Sequence, residues 1–154
     1  MTFDMNGKHV AITGASSGFG HHFGGVIAKA GGKVSLGARR VDKVAARAAD
    51  LSATGAEVKG YALDVNDRDS AETFLDQAAA DLGPVDVLIN NAGVESGAKT
   101  FAMIDEDDWD HVLDTNLKSA WRLSKLYTDR VIGQKWGAGN IINIASITAF
   151  RTIK

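Results

Sequence analysis

Apolar and polar positions along this chain change rhythm at regular intervals. Short aliphatic and β-branched runs at about 8 to 13, 33 to 37, 57 to 63, 85 to 90 and 140 to 146 read as strands bounded by glycine and polar residues. Between them, apolar residues recur at three and four, which predicts helices near 19 to 30, 41 to 53, 68 to 82 and about 106 to 135. Asp105 stands where it can cap the last helix, and Glu106, Asp107 and Asp108 fill its first turn, at the positive end of the helix dipole. Gly83 followed by Pro84, the only proline, stops the third. Strands alternating with helices imply an α/β fold: a doubly wound parallel sheet of about five strands, with right-handed crossovers and helices on both faces in a three-layer α/β/α stack. No repeat, low-complexity stretch or linker interrupts the pattern, so residues 1–154 read as one domain.

The first strand empties into Thr13-Gly14-Ala15-Ser16-Ser17-Gly18-Phe19-Gly20. Glycines spaced this way take backbone angles closed to other residues and leave no Cβ between the chain and a ligand. A pyrophosphate would then rest on the free N–H groups of the following helix, which makes the sheet Rossmann-like; a tight corner with no ligand is the plain alternative. In open α/β sheets ligands bind beyond the carboxyl ends of the strands, and here every end is small or polar. They are the glycine turn, Gly37-Ala38-Arg39-Arg40, Leu63-Asp64-Val65, Asn90-Asn91-Ala92-Gly93 and Ala145-Ser146. A single ligand shelf is the economical reading.

Composition narrows the function. Seventeen basic residues are scattered among nineteen acidic ones for a net charge of -2, which marks no nucleic-acid or membrane-surface binder. The absence of cysteine excludes disulfides, thiolate catalysis and cysteine zinc sites. His21 and His22 are adjacent on a helix and point to different faces, and His9 and His111 have no ligand-spaced partner, so no metal site is expected. With no signal pattern and no apolar run of membrane-spanning length, the expected location is cytoplasmic.

Five ordered features, Thr13-Gly14-x-x-x-Gly18-x-Gly20, Asp64, Asn90-Asn91-Ala92-Gly93, Asn116 and Ser146, give the whole chain the look of the short-chain dehydrogenase/reductase family. The resemblance implies that Gly14, Ser16, Ser17, Gly18, Phe19 and Gly20 hold the cofactor pyrophosphate. It gives Asp64, with Val65 beside it, the adenine amino group, and lays Asn91, Ala92 and Gly93 against the cofactor ribose. Ala38 occupies the place where relatives that use NAD carry an acid for the ribose 2′-hydroxyl, and Arg39 and Arg40 follow it. An arginine fork suits a 2′-phosphate, so the resemblance favours NADP over NAD with Arg39 as the chief contact; a solvated helix start is the other reading of the pair. Relatives that use NADP often carry a basic residue in the glycine loop, where this chain has Ser17.

Asn116 falls among Trp109, Val112, Leu113, Leu117, Ala120 and Trp121, which reads as an apolar, core-facing stripe. It is either an amide tied to a neighbouring carbonyl or, by resemblance, a catalytic asparagine that holds a water in a proton relay. Ser146 by resemblance hydrogen-bonds the substrate carbonyl; otherwise it simply ends a strand. No Gly-x-Ser-x-Gly elbow surrounds it, so a hydrolase nucleophile is not the reading. Residues 94 to 103 are expected along the near side of the substrate pocket. The family's acid, a tyrosine four residues before a lysine, has no match, since Tyr61 is followed at four by Val65 and Tyr127 by Val131. The chain therefore reads as an N-terminal portion of an oxidoreductase acting on a small carbonyl or alcohol substrate, with a homo-oligomer expected for the longer form. A non-catalytic dinucleotide-binding or sensing module is the alternative.

Overall fold

The computed structural model of the protein describes residues 4–97, 99–133 and 136–149. Among them, β1 (His9–Thr13), β2 (Lys33–Ala38), β3 (Val58–Ala62), β4 (Val87–Asn90) and β5 (Asn140–Asn143) form one sheet in the order β3-β2-β1-β4-β5. Every pairing is parallel, with Val10 opposite Val34 and Val87, Val34 opposite Val58, and Val87 opposite Asn140. Parallel neighbours need long crossovers, and α1 (Gly18–Lys29), α2 (Val41–Ser52) and α3 (Arg68–Leu82) supply the first three. The fourth crossover carries α4 (Glu106–Leu113) and α5 (Ser119–Gly133), joined by a π-helical turn over Asp114–Lys118.

Alternation along β1 sends its side chains to both faces. Val10 and Ile12 belong to a buried cluster with Ile27 of α1 and Val44, Ala48 and Leu51 of α2, whereas Ala11 belongs to a second one with Phe74 and Leu75 of α3 and Leu123 and Tyr127 of α5. The three layers follow from burial on both faces, which is the usual condition of a parallel sheet. Chain order reverses beside β1: β2 and β3 lie to one side of it and β4 and β5 to the other, which opens a crevice between the ends of β1 and β4.

The strand and helix rhythm agrees with the sequence reading, with differences at the ends. The fifth strand stops at Asn143, although the Ile144 N–H still reaches the Asn90 carbonyl. Asp105 caps α4 as expected: its carboxylate accepts from the Asp108 N–H, and Asp108 returns the bond, a reciprocal capping box. Gly83 ends α3 at φ 89°. The expected 106-to-135 helix is two α segments around the π turn, and its last two residues lie outside the described ones. None of the helices among the described residues is long and apolar enough to cross a membrane.

The expected core-facing stripe on this helix faces outward instead. Trp109 is 56% exposed, Leu117 66% and Trp121 64%, and Asn116 is exposed with them. The buried positions are Thr115, Ser119, Leu123, Leu126 and Tyr127. The helix carries apolar residues on two faces, and the one with the larger side chains is not the one that meets the sheet.

Candidate nucleotide-binding site

A cleft of about 490 Å³ opens at the carboxyl ends of β1, β2, β3 and β4. Its walls include Gly14, Ser16, Ser17 and Phe19 from the first turn, Arg39 and Arg40 from the second, Asp64 and Val65 from the third, and Asn91, Ala92 and Gly93 from the fourth. These are eleven of the fifteen residues singled out from the sequence. Gly18 and Gly20 stand in the first turn of α1 without lining the cleft, and Asn116 and Ser146 stand outside its lining.

The glycine loop is built against the turn after β4. Thr13 Oγ1 accepts from the Asn91 N–H at 3.0 Å and the Ala92 N–H at 2.9 Å, and the Asn91 side-chain amide donates to the Thr13 carbonyl at 2.9 Å. That approach leaves no room for a Cβ at Gly14, which would lie 2.7 Å from Ala92 Cα, and its φ of +66° is unfavourable for other residues. A Cβ on Gly20 would meet the Asn91 amide at 2.5 Å. Two loop glycines therefore serve the junction between the two turns, a role that the pyrophosphate argument alone did not reveal.

The start of α1 is left bare. Ser17 is the N-cap residue but its side chain bonds none of the first-turn N–H groups, and no acid stands in that turn. By contrast Asp67 caps α3 and Asp105 caps α4. An uncapped helix start bordering a cleft presents unpaired donors and the positive end of the dipole to an anion. The Ser17 hydroxyl is occupied otherwise, accepting from Arg40 Nη2 at 2.9 Å, while Ser16 Oγ accepts from Arg40 Nε at 3.2 Å and Nη2 at 2.9 Å.

Asp64 is shaped by a local turn in which its Oδ1 accepts from the Asn66 N–H at 2.9 Å. Asn66 and Thr115, neither singled out from the sequence, complete this wall and join each other through a 2.8 Å bond from Asn66 Nδ2 to Thr115 Oγ1. Arg122 ties α5 to the same segment by donating to the Val65 carbonyl at 2.8 Å. Nothing in local periodicity marks such pairs, because the partners are 49 and 57 residues apart.

Asn116 sits in the π turn with both ends of its amide engaged. Its Oδ1 accepts from the Val94 N–H and its Nδ2 donates to the Val94 carbonyl, each at 2.8 Å. The side chain thus fixes the segment after Asn91-Ala92-Gly93, in keeping with the amide-to-backbone alternative. One inserted residue in a helix turns the following side chains and is a frequent feature near functional sites. Ser146 follows β5, and its carbonyl accepts from the Ala149 N–H at 3.0 Å. Beneath that strand end, Asn90 Nδ2 donates to Asn143 Oδ1 at 2.9 Å and Ser124 Oγ at 3.0 Å.

Both tyrosines are committed to the framework. Tyr61 donates to Asp81 at 2.9 Å, and burial together with that carboxylate pushes its pKa well above the ordinary phenol value. Tyr127 donates to the Asp86 carbonyl at 2.8 Å, and burial raises it also. Neither lines the cleft. Among the described residues no group of three or more histidine and acidic side chains is arranged to hold a metal ion.

Comparison with known proteins agrees with the fold. The family described as short chain dehydrogenase matches residues 8–154. Nodulation protein G of Rhizobium sp. (strain N33) is 35% identical over 145 residues, 94% of this chain and 57% of the relative. The 3-oxoacyl-[acyl-carrier-protein] reductase of Escherichia coli (strain K12) is 35% identical over 144 residues, again 94% of this chain and 57% of the relative. The chain therefore spans a little over half the length of these relatives. Among solved structures, a short-chain type dehydrogenase/reductase from Mycobacterium marinum superimposes with a TM-score of 0.90 at 28% identity, covering 99% of this chain and 62% of that one.

Proposed function

The chain belongs to the short-chain dehydrogenase family, and from that premise we propose that it binds NADP(H) and forms the cofactor half of an oxidoreductase that interconverts a ketone and a secondary alcohol. The observation that carries this reading is the cleft itself, where the bare start of α1 and two arginines unpaired with any acid among the described residues face the same space. The bound nicotinamide would supply the hydride. Ser16, Ser17, Arg39 and Arg40 hold the phosphorylated end, Asp64 and Val65 the adenine, and Asn91, Ala92 and Gly93 the ribose. Asn116 holds the segment at Val94 in place beside them, and Ser146 donates a hydrogen bond to the substrate oxygen.

Reduction also requires a proton on that oxygen, and the 154 residues contain no tyrosine followed at four by a lysine. The proton donor is assigned to residues beyond these. Losing general-acid help removes about a hundredfold to ten-thousandfold in rate. The test compares NADPH oxidation by the 154-residue chain with that of a version extended through a relative's Tyr-x-x-x-Lys segment and following strands. The panel includes simple ketones and a 3-oxoacyl thioester, the latter because a named relative reduces that class. Turnover only by the extended version is expected; equal turnover by both would overturn the assignment. The same lack of an acid favours the second reading, a nucleotide-binding or sensing module, which predicts binding with no turnover in either form.

A further inference from the structure

The π turn over Asp114–Lys118 reaches two walls of the cleft through consecutive residues. Thr115 Oγ1 accepts from Asn66 on the wall after β3, and the Asn116 amide pairs with both the N–H and the carbonyl of Val94 on the wall after β4. The backbone of the turn has two registers open to it. In an α-helix the Ser119 N–H would bond the Thr115 carbonyl; here it reaches back to Asp114, and the Ser119 hydroxyl takes up the Thr115 carbonyl instead, at 2.6 Å. We propose that Thr115 is a positioning residue that couples the two walls: its bond to Asn66 holds residues 114 to 118 in the π register, and in that register alone Asn116 clamps Val94. The coupling rests on the reading that an adenine nucleotide occupies the wall at Asp64.

Burial decides which part moves when the register changes. α5 is anchored by Leu123, Leu126 and Tyr127, whereas α4 has no buried residue. A return to the α register therefore rotates the turn and α4 by about 100° relative to α5 and swings Asn116 away from Val94. With so little packing on α4, side-chain bonds hold the π form, and the buried Thr115 makes the one that reaches the wall after β3. Asn66 is the responsive end of that bond. Its Nδ2 goes to Thr115, and its Oδ1 is buried without a partner among the described residues. The Asn66 N–H also donates to the Asp64 carboxylate at 2.9 Å, so a ligand that settles on Asp64 stiffens Asn66, and hydrogen bonds in series strengthen one another. Occupancy at one wall then raises the share of the clamped form at the other, with no contact between ligand and Val94.

A double-mutant cycle tests the coupling, with 5′-AMP as the probe because it carries the adenine and lacks the nicotinamide. Thr115→Val keeps the side-chain shape and removes the acceptor, and Asn116→Ala releases the clamp directly. Each is expected to weaken 5′-AMP by roughly twofold to tenfold, the worth of one ordinary hydrogen bond, and the double variant no further than Thr115→Val alone. Thr115→Ser should keep wild-type affinity. Asn66→Ala should behave as Thr115→Val does, and it takes that variant's place if the valine protein fails to fold. Losses that multiply in the double variant, or an Asn116→Ala protein that binds 5′-AMP as the wild type does, would overturn the coupling. The second arm needs no ligand: in a two-dimensional NMR spectrum the Val94 amide resonance of Thr115→Val should move toward its position in Asn116→Ala, and that of Thr115→Ser should not. A Val94 resonance that stays at its wild-type position in Thr115→Val would overturn the proposal even if the protein melts at a lower temperature. A wild-type protein that does not bind 5′-AMP would overturn the nucleotide reading instead, and the NMR arm would still decide whether Thr115 sets the clamp.

Discussion

β1 and β5 are both short apolar parallel strands with a proposed site residue at or just beyond the carboxyl end, yet they sit in opposite surroundings. All five residues of β1 are buried, and all four of β5 are exposed. β1 has a strand on each side and helices over both faces, whereas among the described residues β5 pairs only with β4. The loop after β1 is stapled to the turn after β4 through Thr13 and Asn91, so the proposed nucleotide end of the site is preorganised. Ser146 hangs from a strand with one neighbour among the described residues. Similar strand chemistry thus gives a rigid binding wall in one place and an uncovered edge in the other, and cover rather than strand propensity decides which.

The same substitution in both strands tests that contrast most severely. Ile12 is 0% exposed and Ile142 is 46% exposed. Ile12→Lys buries an unpaired charge and is expected to abolish the cooperative unfolding transition, a loss of more than about 4 kcal/mol. Ile142→Lys should change stability by less than about 0.5 kcal/mol. It should also reduce self-association in a light-scattering concentration series, since a charge on an open edge opposes pairing with another chain. Equal destabilisation by the two would mean that β5 is covered in solution.

Gly14→Val probes the junction rather than the strand. Its side chain meets the Ala92 backbone at a positive φ, so a cost of about 3 kcal/mol is expected, with Tm lower by roughly 5 to 12 °C and nucleotide affinity down by more than about a hundredfold. Thermal melts read the first effect and titration the second. Lost binding with an unchanged Tm would show that the glycine serves the ligand alone.

The smallest expected effect belongs to the other end of β1. His9 is buried, and because a carbonyl only accepts, Nδ1 carries the hydrogen donated to Gly83 at 2.7 Å, leaving Nε2 to accept from Ser35 at 2.9 Å. Burial holds its pKa below the ordinary 6.5. The unfolded chain therefore binds a proton that the folded one refuses, so this contribution is full above pH 6.5 and is lost as pH falls from there toward the lowered value. Melts from pH 5 to 7.5 should show Tm rising with pH, and the slope should flatten in His9→Gln. An unchanged slope would mean that other groups govern it.

Much of this organisation was legible in the chain. The glycine turn, the Asp105 cap and the Gly83 stop are local signals, and each rests on backbone chemistry that nearby residues decide. The outward face of α4 and α5 was not legible, because Trp109 and Trp121 outweigh Leu123 and Tyr127 in any periodicity, and a π turn shifts the register without a signature of its own. The Asn66–Thr115 contact and the bonds from Arg40 to Ser16 and Ser17 were hidden for a different reason: tertiary approach creates them between segments that share no pattern.

The bare first turn of α1 also reaches into how the protein lives with heat. Donors that no side chain satisfies make the folded state a better host for an anion than the unfolded chain, so on the proposed reading folding and nucleotide occupancy are linked. Each tenfold excess of free nucleotide over its dissociation constant adds about 1.4 kcal/mol to the folded side. On the proposed reading of the cleft, survival at a given temperature would track the surrounding nucleotide concentration, and the melting point would serve as a gauge of supply.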